Sequence, residues 1–172
     1  PEDFISLPSI EFGTPPDGSH RLGFFPDTEN LAPIFCEDRP EAHDPKLHAR
    51  FHPETIYCKD YRELYDAVHA RGGFTQGHFH TAFYEQEQVA EIYQKQHVNS
   101  DFEEAKINRA IQFQGLKLAI VSGSDTHDSR PANPYPEPGP ENPAGLTGVW
   151  AERLNRPALF DAFFQRHCYA TT

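Results

Sequence analysis

The sequence predicts an α/β chain assembled from parallel βα units, and three observations predict it. Residues 116–121 form a near-continuous apolar run, the character of a strand buried on both faces. Strand-like segments alternate with segments whose apolar residues recur at three- and four-residue spacing. Clusters of His and Asp follow directly on apolar runs, where such units carry their functional groups.

The elements are expected in the following order. Residues 4–8 read as a short strand stopped by Pro8, followed by Ile10, Glu11 and Phe12 and the turn Pro15-Pro16-Asp17-Gly18. Residues 21–25 read as the returning strand. Residues 26–56 are rich in Pro, Asp, Glu and His without periodicity and are expected to form a long loop. Asp60 is placed to cap a helix reaching about Arg71, with Tyr61, Leu64, Tyr65 and Val68 on its apolar face and Gly72-Gly73 at its end. A strand over 74–79 follows, then a polar stretch interrupted by Val89-Ala90-Glu91-Ile92-Tyr93. Asp101 is expected to cap a helix ending near Gln114, closed by Gly115. After the strand at 116–121, the proline-rich residues 128–145 predict a second long loop. A strand over 146–151 and a helix over 156–166 complete the series.

At 172 residues the chain can bury roughly 70% of its unfolded surface, enough for one core. Fourteen Phe and seven Tyr argue against disorder despite 16 Pro. The chain opens at Pro1 and contains no Met, and the expectation is one partial domain over 1–172 whose amino-terminal part lies elsewhere in a longer protein. That missing part would be its first partner. A net charge of −11, with 15 basic residues among 26 acidic ones, argues against nucleic acid as a partner. No stretch approaches the ~20 apolar residues of a membrane span. Cys36, Cys58 and Cys168 form neither a metal motif nor a disulfide framework. The compartment, cytoplasmic or periplasmic, stays open.

The chemistry is expected at three places. The apolar strand before Ser122-Gly123-Ser124-Asp125-Thr126-His127 ends by presenting Asp-x-His, groups that are costly to bury unless they meet water, a metal or each other. Carboxylate oxygen and imidazole nitrogen are the usual ligands of zinc and similar ions. His78 and His80 are two apart on the preceding strand and so share a face. Glu91 is a single charge inside an apolar pentapeptide, and a buried Glu needs a cation or a hydrogen-bond partner. His97 lies six residues further on. His20, His43, His48, His52, His69 and His167 are given no metal role. The bland readings are a capped turn at Asp125, a hydrogen-bonded His pair at a sheet end, and a surface His97.

These residues also carry a resemblance. The stretch from Glu91 to His97 resembles the "E-I-Y-S-x-H-G" segment of the DUF3604 family, relatives of the PHP (polymerase and histidinol phosphatase) hydrolases. Gly123-Ser124-Asp125-Thr126-His127 with Arg130-Pro131 is similar to its "S-D-x-H-x-x-R-P-G" motif, and Gly145-Leu146-Thr147 to its "G-L-T". Arg166-His167-Cys168-Tyr169-Ala170-Thr171-Thr172 is similar to its "R-R-C-Y-A-T-T-G" ending. Residues 4–12 resemble its strand with "G-x-E-W", which puts Glu11 at its Glu. The likeness runs through most of the chain outside 26–56.

The resemblance implies the carboxy-terminal portion of a distorted TIM-like, PHP-type β/α barrel, incomplete at its amino end. It implies two or three divalent ions (Zn, Mn or Fe) in the intact protein and hydrolysis by a metal-activated water. By motif the ligands fall on His78 or His80, then Glu91, His97, Asp125 and His127. His97 follows Tyr93 with one residue more than the family pattern, and the family's opening His-x-His and first Asp are not in this chain. Asp125 and His127 are expected at the catalytic centre, with Arg130 reaching a small anionic substrate. A phosphoesterase is the leading expectation. An amide or lactone hydrolase on a similar barrel, or a metal-binding barrel fragment without catalysis, are the other two.

Overall fold

The structure is a computed structural model that describes residues 4–14, 19–31, 34–36, 56–78, 82–93, 100–125 and 145–171. The chain divides into two compact units, residues 1–75 and 76–172.

In the first unit, β1 (Ser9–Thr14) and β2 (Ser19–Phe24) pair antiparallel, with Ser9 opposite Phe24 and Thr14 opposite Ser19. The strand expected over 4–8 is not one. Pro8 has no N–H to give a ladder, and the last link is Phe25 N–H donating to its carbonyl oxygen at 2.9 Å. Within the long loop expected over 26–56, residues 34–36 form a strand and Ile56 begins another, while residues 32–33 and 37–55 lie outside the described residues. β3 (Ile34–Cys36) and β4 (Ile56–Cys58) pair in parallel, with Cys36 opposite Cys58. Three-residue strands are too short to carry a readable period, and their pairing is non-local.

α1 (Tyr61–His69) begins as its sequence requires. Asp60 accepts from the amides of Arg62 and Glu63, and Glu63 reaches back to the Lys59 amide at 2.8 Å. The helix buries Leu64, Tyr65 and Val68. Arg21, on β2, is fully buried and donates from Nε to the Tyr65 hydroxyl at 2.7 Å. A buried guanidinium survives only with such partners. Gly72, at φ +70°, turns the chain out of α1, and the Gly73 amide donates to Val68 O at 3.0 Å. β5 (Phe74–Gly77) then starts, with Phe74 stacked on Phe24 at 4.9 Å between centroids.

His69 gives this unit a pH dependence. Its Nε2 is buried with no hydrogen-bond partner among the described residues. Burial pushes the imidazole pKa below its usual 6.5, against the smaller upward pull of Asp66. The folded state therefore holds this proton less tightly than the unfolded chain. Its contribution to stability is present above pH 6.5 and is lost as pH falls through that value toward the lowered one. Urea unfolding from pH ~7.5 to ~5.5 should show a smaller loss of stability in His69→Gln than in the wild type. Equal losses would remove His69 from the account.

In the second unit, the end of β5 pairs in parallel with β6 (Val89–Tyr93), and β6 with β7 (Ala119–Ser122). The expected parallel units are present, but the segment at 89–93, read only as an interruption, is itself the central strand. α2 (Ser100–Gln114) connects β6 to β7 and covers their face. Ala90, Ile107, Ala110 and Phe83 form the core there, with Ile92, Leu116, Leu118 and Ile120 packed against it. Gly115, at φ +70°, ends α2, and Leu116 N–H donates back to Ala110 O at 3.2 Å. β7 is shorter than the apolar run suggested, because residues 116–118 serve the helix end and the core rather than a ladder.

β8 (Leu146–Val149) and β9 (Cys168–Thr171) pair antiparallel and flank α3 (Arg156–Phe164) in sequence. Asn155 caps α3 by accepting from the Ala158 amide at 2.9 Å. The sequence reading omitted β9. Its four residues acquire strand geometry by pairing with β8. Among the described residues no helix is long and apolar enough to cross a membrane.

Candidate metal centre

Three of the expected ligand residues meet in the second unit. β5 ends at Gly77 and delivers His78 as the next residue. Glu91 is the third residue of β6, opposite Val121 of β7. Asp125 follows the end of β7 by three residues. Neighbouring parallel strands thus bring together groups distant in sequence, His78 and Asp125 just past the carboxyl ends of β5 and β7 and Glu91 within β6.

His78 sits between the two carboxylates. Its Nδ1 lies 2.7 Å from Glu91 Oε2, with the two side chains 12% and 6% exposed. Its Nε2 lies 3.8 Å from Asp125 Oδ2, whose side chain is 19% exposed. Opposite a carboxylate acceptor, Nδ1 is the nitrogen that carries a proton. The second distance is too long for a hydrogen bond. It is within the span of two atoms that share one ion at about 2.0–2.2 Å each.

Local backbone geometry serves this meeting. A register shift between Glu91 and Tyr93 breaks the even ladder of β6 with β7, and bulges of this kind re-aim side chains. The Gly123 amide then donates to Tyr93 O at 3.0 Å. A Cβ at position 123 would stand 3.3 Å from Glu91 Oε1, so glycine keeps that side of the carboxylate open. Asp125 adopts φ +48°, a left-handed conformation that Asp tolerates better than most residues.

His78, Glu91 and Asp125 are therefore brought together. His80, His97, His127 and Arg130 lie outside the described residues, so the choice between His78 and His80 is answered only in that His78 is at the cluster. Glu11, placed by resemblance, lies on β1 with its Oε1 2.7 Å from His20 Nδ1 on β2. Both are largely exposed, and such pairs are worth under about 1 kcal/mol.

Sequence reasoning missed the fastening behind Asp125. Thr147 Oγ1 accepts from the Ser122 amide at 3.1 Å and donates to the Ser122 carbonyl at 2.7 Å. Ser122 Oγ shares its proton between Leu146 O at 2.7 Å and Thr171 O at 2.9 Å. The Gly145 amide donates to Gly123 O at 3.1 Å. At the other end of β7, Arg166 Nε donates to Lys117 O at 2.6 Å. The only readable signals were hydroxyl residues near strand ends, which do not name their partners.

The side chains of two cysteines, Cys58 and Cys168, are described. Burial raises the thiol pKa of Cys58 to about 11, helped by Glu63 and Asp60, and burial alone raises that of Cys168 to about 11.

Neither a curated protein nor a solved structure matches the chain. One family model does, over residues 137–172, and its description is a protein of unknown function (DUF3604). That match covers β8, α3 and β9, and it makes this carboxy-terminal segment similar to the DUF3604 family.

Proposed function

We propose that the chain carries part of the centre of a divalent-metal-dependent hydrolase on a distorted TIM-like barrel, acting on small anionic substrates and on phosphate esters first. The observation that carries this reading is the placement of His78 between Glu91 and Asp125 on neighbouring parallel strands. Stability offers no reason for it. A nearly buried ion pair is commonly neutral or worse against an apolar pair of the same size.

The donors fit the ion. Imidazole nitrogen and carboxylate oxygen suit zinc, manganese or iron, and the 3.8 Å between His78 Nε2 and Asp125 Oδ2 suits a shared cation. His78 and Asp125 would hold it, with His80, His97 and His127 added from the motifs and Arg130 receiving the substrate anion. When bound, a divalent ion supplies a Lewis acid and a water made acidic enough to react near neutral pH. The chain's own residues do the positioning. Glu91 accepts from Nδ1–H of His78, which sets the tautomer and ring plane and makes Nε2 more basic. Its other oxygen, on the open side of Gly123, keeps Glu91 itself available as a ligand. Phosphate esters suit this chemistry because a pair of divalent ions would offset negative charge on both the attacking and the leaving oxygens.

The test is elemental analysis of the purified protein, with anomalous scattering at His78 and Asp125. Bound Zn, Mn or Fe at these residues, with chelator-sensitive hydrolysis of an activated phosphoester, is the expected result. Protein that takes up none of these ions on titration overturns the proposal. Bound metal with turnover of amides or lactones, and none of phosphoesters, would keep the centre and change the substrate class.

A further inference from the structure

We infer that Thr147 is a positioning residue for the metal centre: its hydroxyl completes the open edge of β7 and thereby sets the turn that carries Asp125. The inference rests on the metal reading for its affinity readout, but its structural part does not.

Among the described residues β7 is the last strand of its sheet, with β6 on one side. An edge strand presents backbone groups that need partners. β8 does not supply them by a backbone ladder, since it pairs with β9 in a separate two-stranded sheet. At Ser122 the Thr147 side chain supplies them instead. One hydroxyl binds both the N–H and the C=O of Ser122, at 3.1 and 2.7 Å. Ser122 is buried, so water is a poor substitute for either bond.

The residues after Ser122 inherit this anchorage. Gly123 is held from both sides, its N–H by Tyr93 O and its C=O by the Gly145 amide. Gly145 must come close for this, because a Cβ there would stand 2.5 Å from Ser122 Cβ and 2.9 Å from the Tyr93 ring. Two residues later the backbone reaches the left-handed conformation of Asp125. A turn carrying such a residue persists only where its surroundings over-determine it. Thr147 therefore acts on the cation through the backbone of 122–125, without touching it.

The experiment compares Thr147→Val, which keeps the shape and removes the hydroxyl, with Thr147→Ser, which keeps the hydroxyl. Amide hydrogen exchange at Ser122, Gly123 and Asp125 is measured in both, together with affinity for Zn²⁺ and Mn²⁺ by chelator competition. T147V should lose protection at these amides and bind the ions about 10–100-fold more weakly, the range for residues that orient ligands. T147S should match the wild type in both. If T147V fails to fold, Thr147→Cys replaces it, since a thiol of similar size is only a weak donor and acceptor. Unchanged exchange and affinity in T147V overturn the inference, as does a T147S that behaves like T147V. A wild type that binds no ion, but whose amides at 122–125 lose protection in T147V, overturns the metal reading and leaves the positioning role standing.

Discussion

Asp125→Asn is expected to abolish binding of the proposed cation and, with it, to remove more than about 100-fold of any hydrolytic activity. The bound comes from comparison, since losing a residue that only orients a ligand already costs 10–100-fold. Asn keeps the volume of Asp and one oxygen, but an amide oxygen is a far poorer ligand than a carboxylate for a small divalent ion. It also removes the negative charge 3.8 Å from His78 Nε2. The fold should be spared. Asn is among the residues that adopt a left-handed backbone readily, so φ +48° remains accessible. β7 is buried and fastened independently of this side chain, through Ala119, Val121 and the bonds of Ser122. Alanine would be a less clean substitution, because it adds about 1–2 kcal/mol of left-handed strain. Metal content per chain, a melting curve and a phosphoester assay decide the matter. A lowered melting point with unchanged metal content would make Asp125 a structural turn residue and withdraw the catalytic reading of its motif.

The largest effect on stability is expected in the first unit, from Gly73→Ala. A Cβ there would stand 2.5 Å from Phe24 O, 2.9 Å from Val68 O and 2.7 Å from Val68 Cγ1. Two of those atoms are backbone and cannot rotate away. Relief would have to move the end of α1 or the start of β5. The Gly73 amide closes that helix on Val68 O, and Phe74 is buried against Phe24. Overpacking a core costs about 1–3 kcal/mol and occasionally more. With backbone as the obstacle we expect about 3 kcal/mol or more, a large share of the 5–15 kcal/mol that holds a typical domain. Gly148→Ala is the contrast. Its Cβ would meet the Tyr169 ring, but that ring is 47% exposed and can swing outward. Its cost should stay under about 1 kcal/mol. Urea midpoints of the two variants test the distinction, and similar midpoints would show that the path around Gly73 yields more easily than its contacts imply.

Several local signals were legible, although α2 starts at Ser100 and takes Asp101 inside it rather than as its cap. The capping of α1 by Asp60, the stop at Gly72-Gly73 and the end of α2 at Gly115 are properties of a few adjacent residues, and the structure bears them out. The apolar run before Ser122 was recognisable as a buried strand for the same reason, although its first residues went to the core beside α2. β3, β4 and β9 were not legible, because short strands are defined by a partner and not by their own pattern. β6 is hard to read for a related reason. A single Glu in an apolar pentapeptide interrupts the apolar pattern by which a buried strand is recognised.

By itself, the sequence determined the α/β character, the parallel units around the 116–121 run, and the residue types able to hold a cation after apolar strands. It also determined a carboxy-terminal likeness strong enough to be matched over residues 137–172. Only the tertiary structure decided that His78 stands between Glu91 and Asp125, one carboxylate to each ring nitrogen. Only it decided that Thr147 closes the edge of β7. The reason is physical. Side-chain type and local propensity are written residue by residue, whereas a distance between residues 78, 91 and 125 depends on strand register. Register follows from which faces are buried and where a bulge falls.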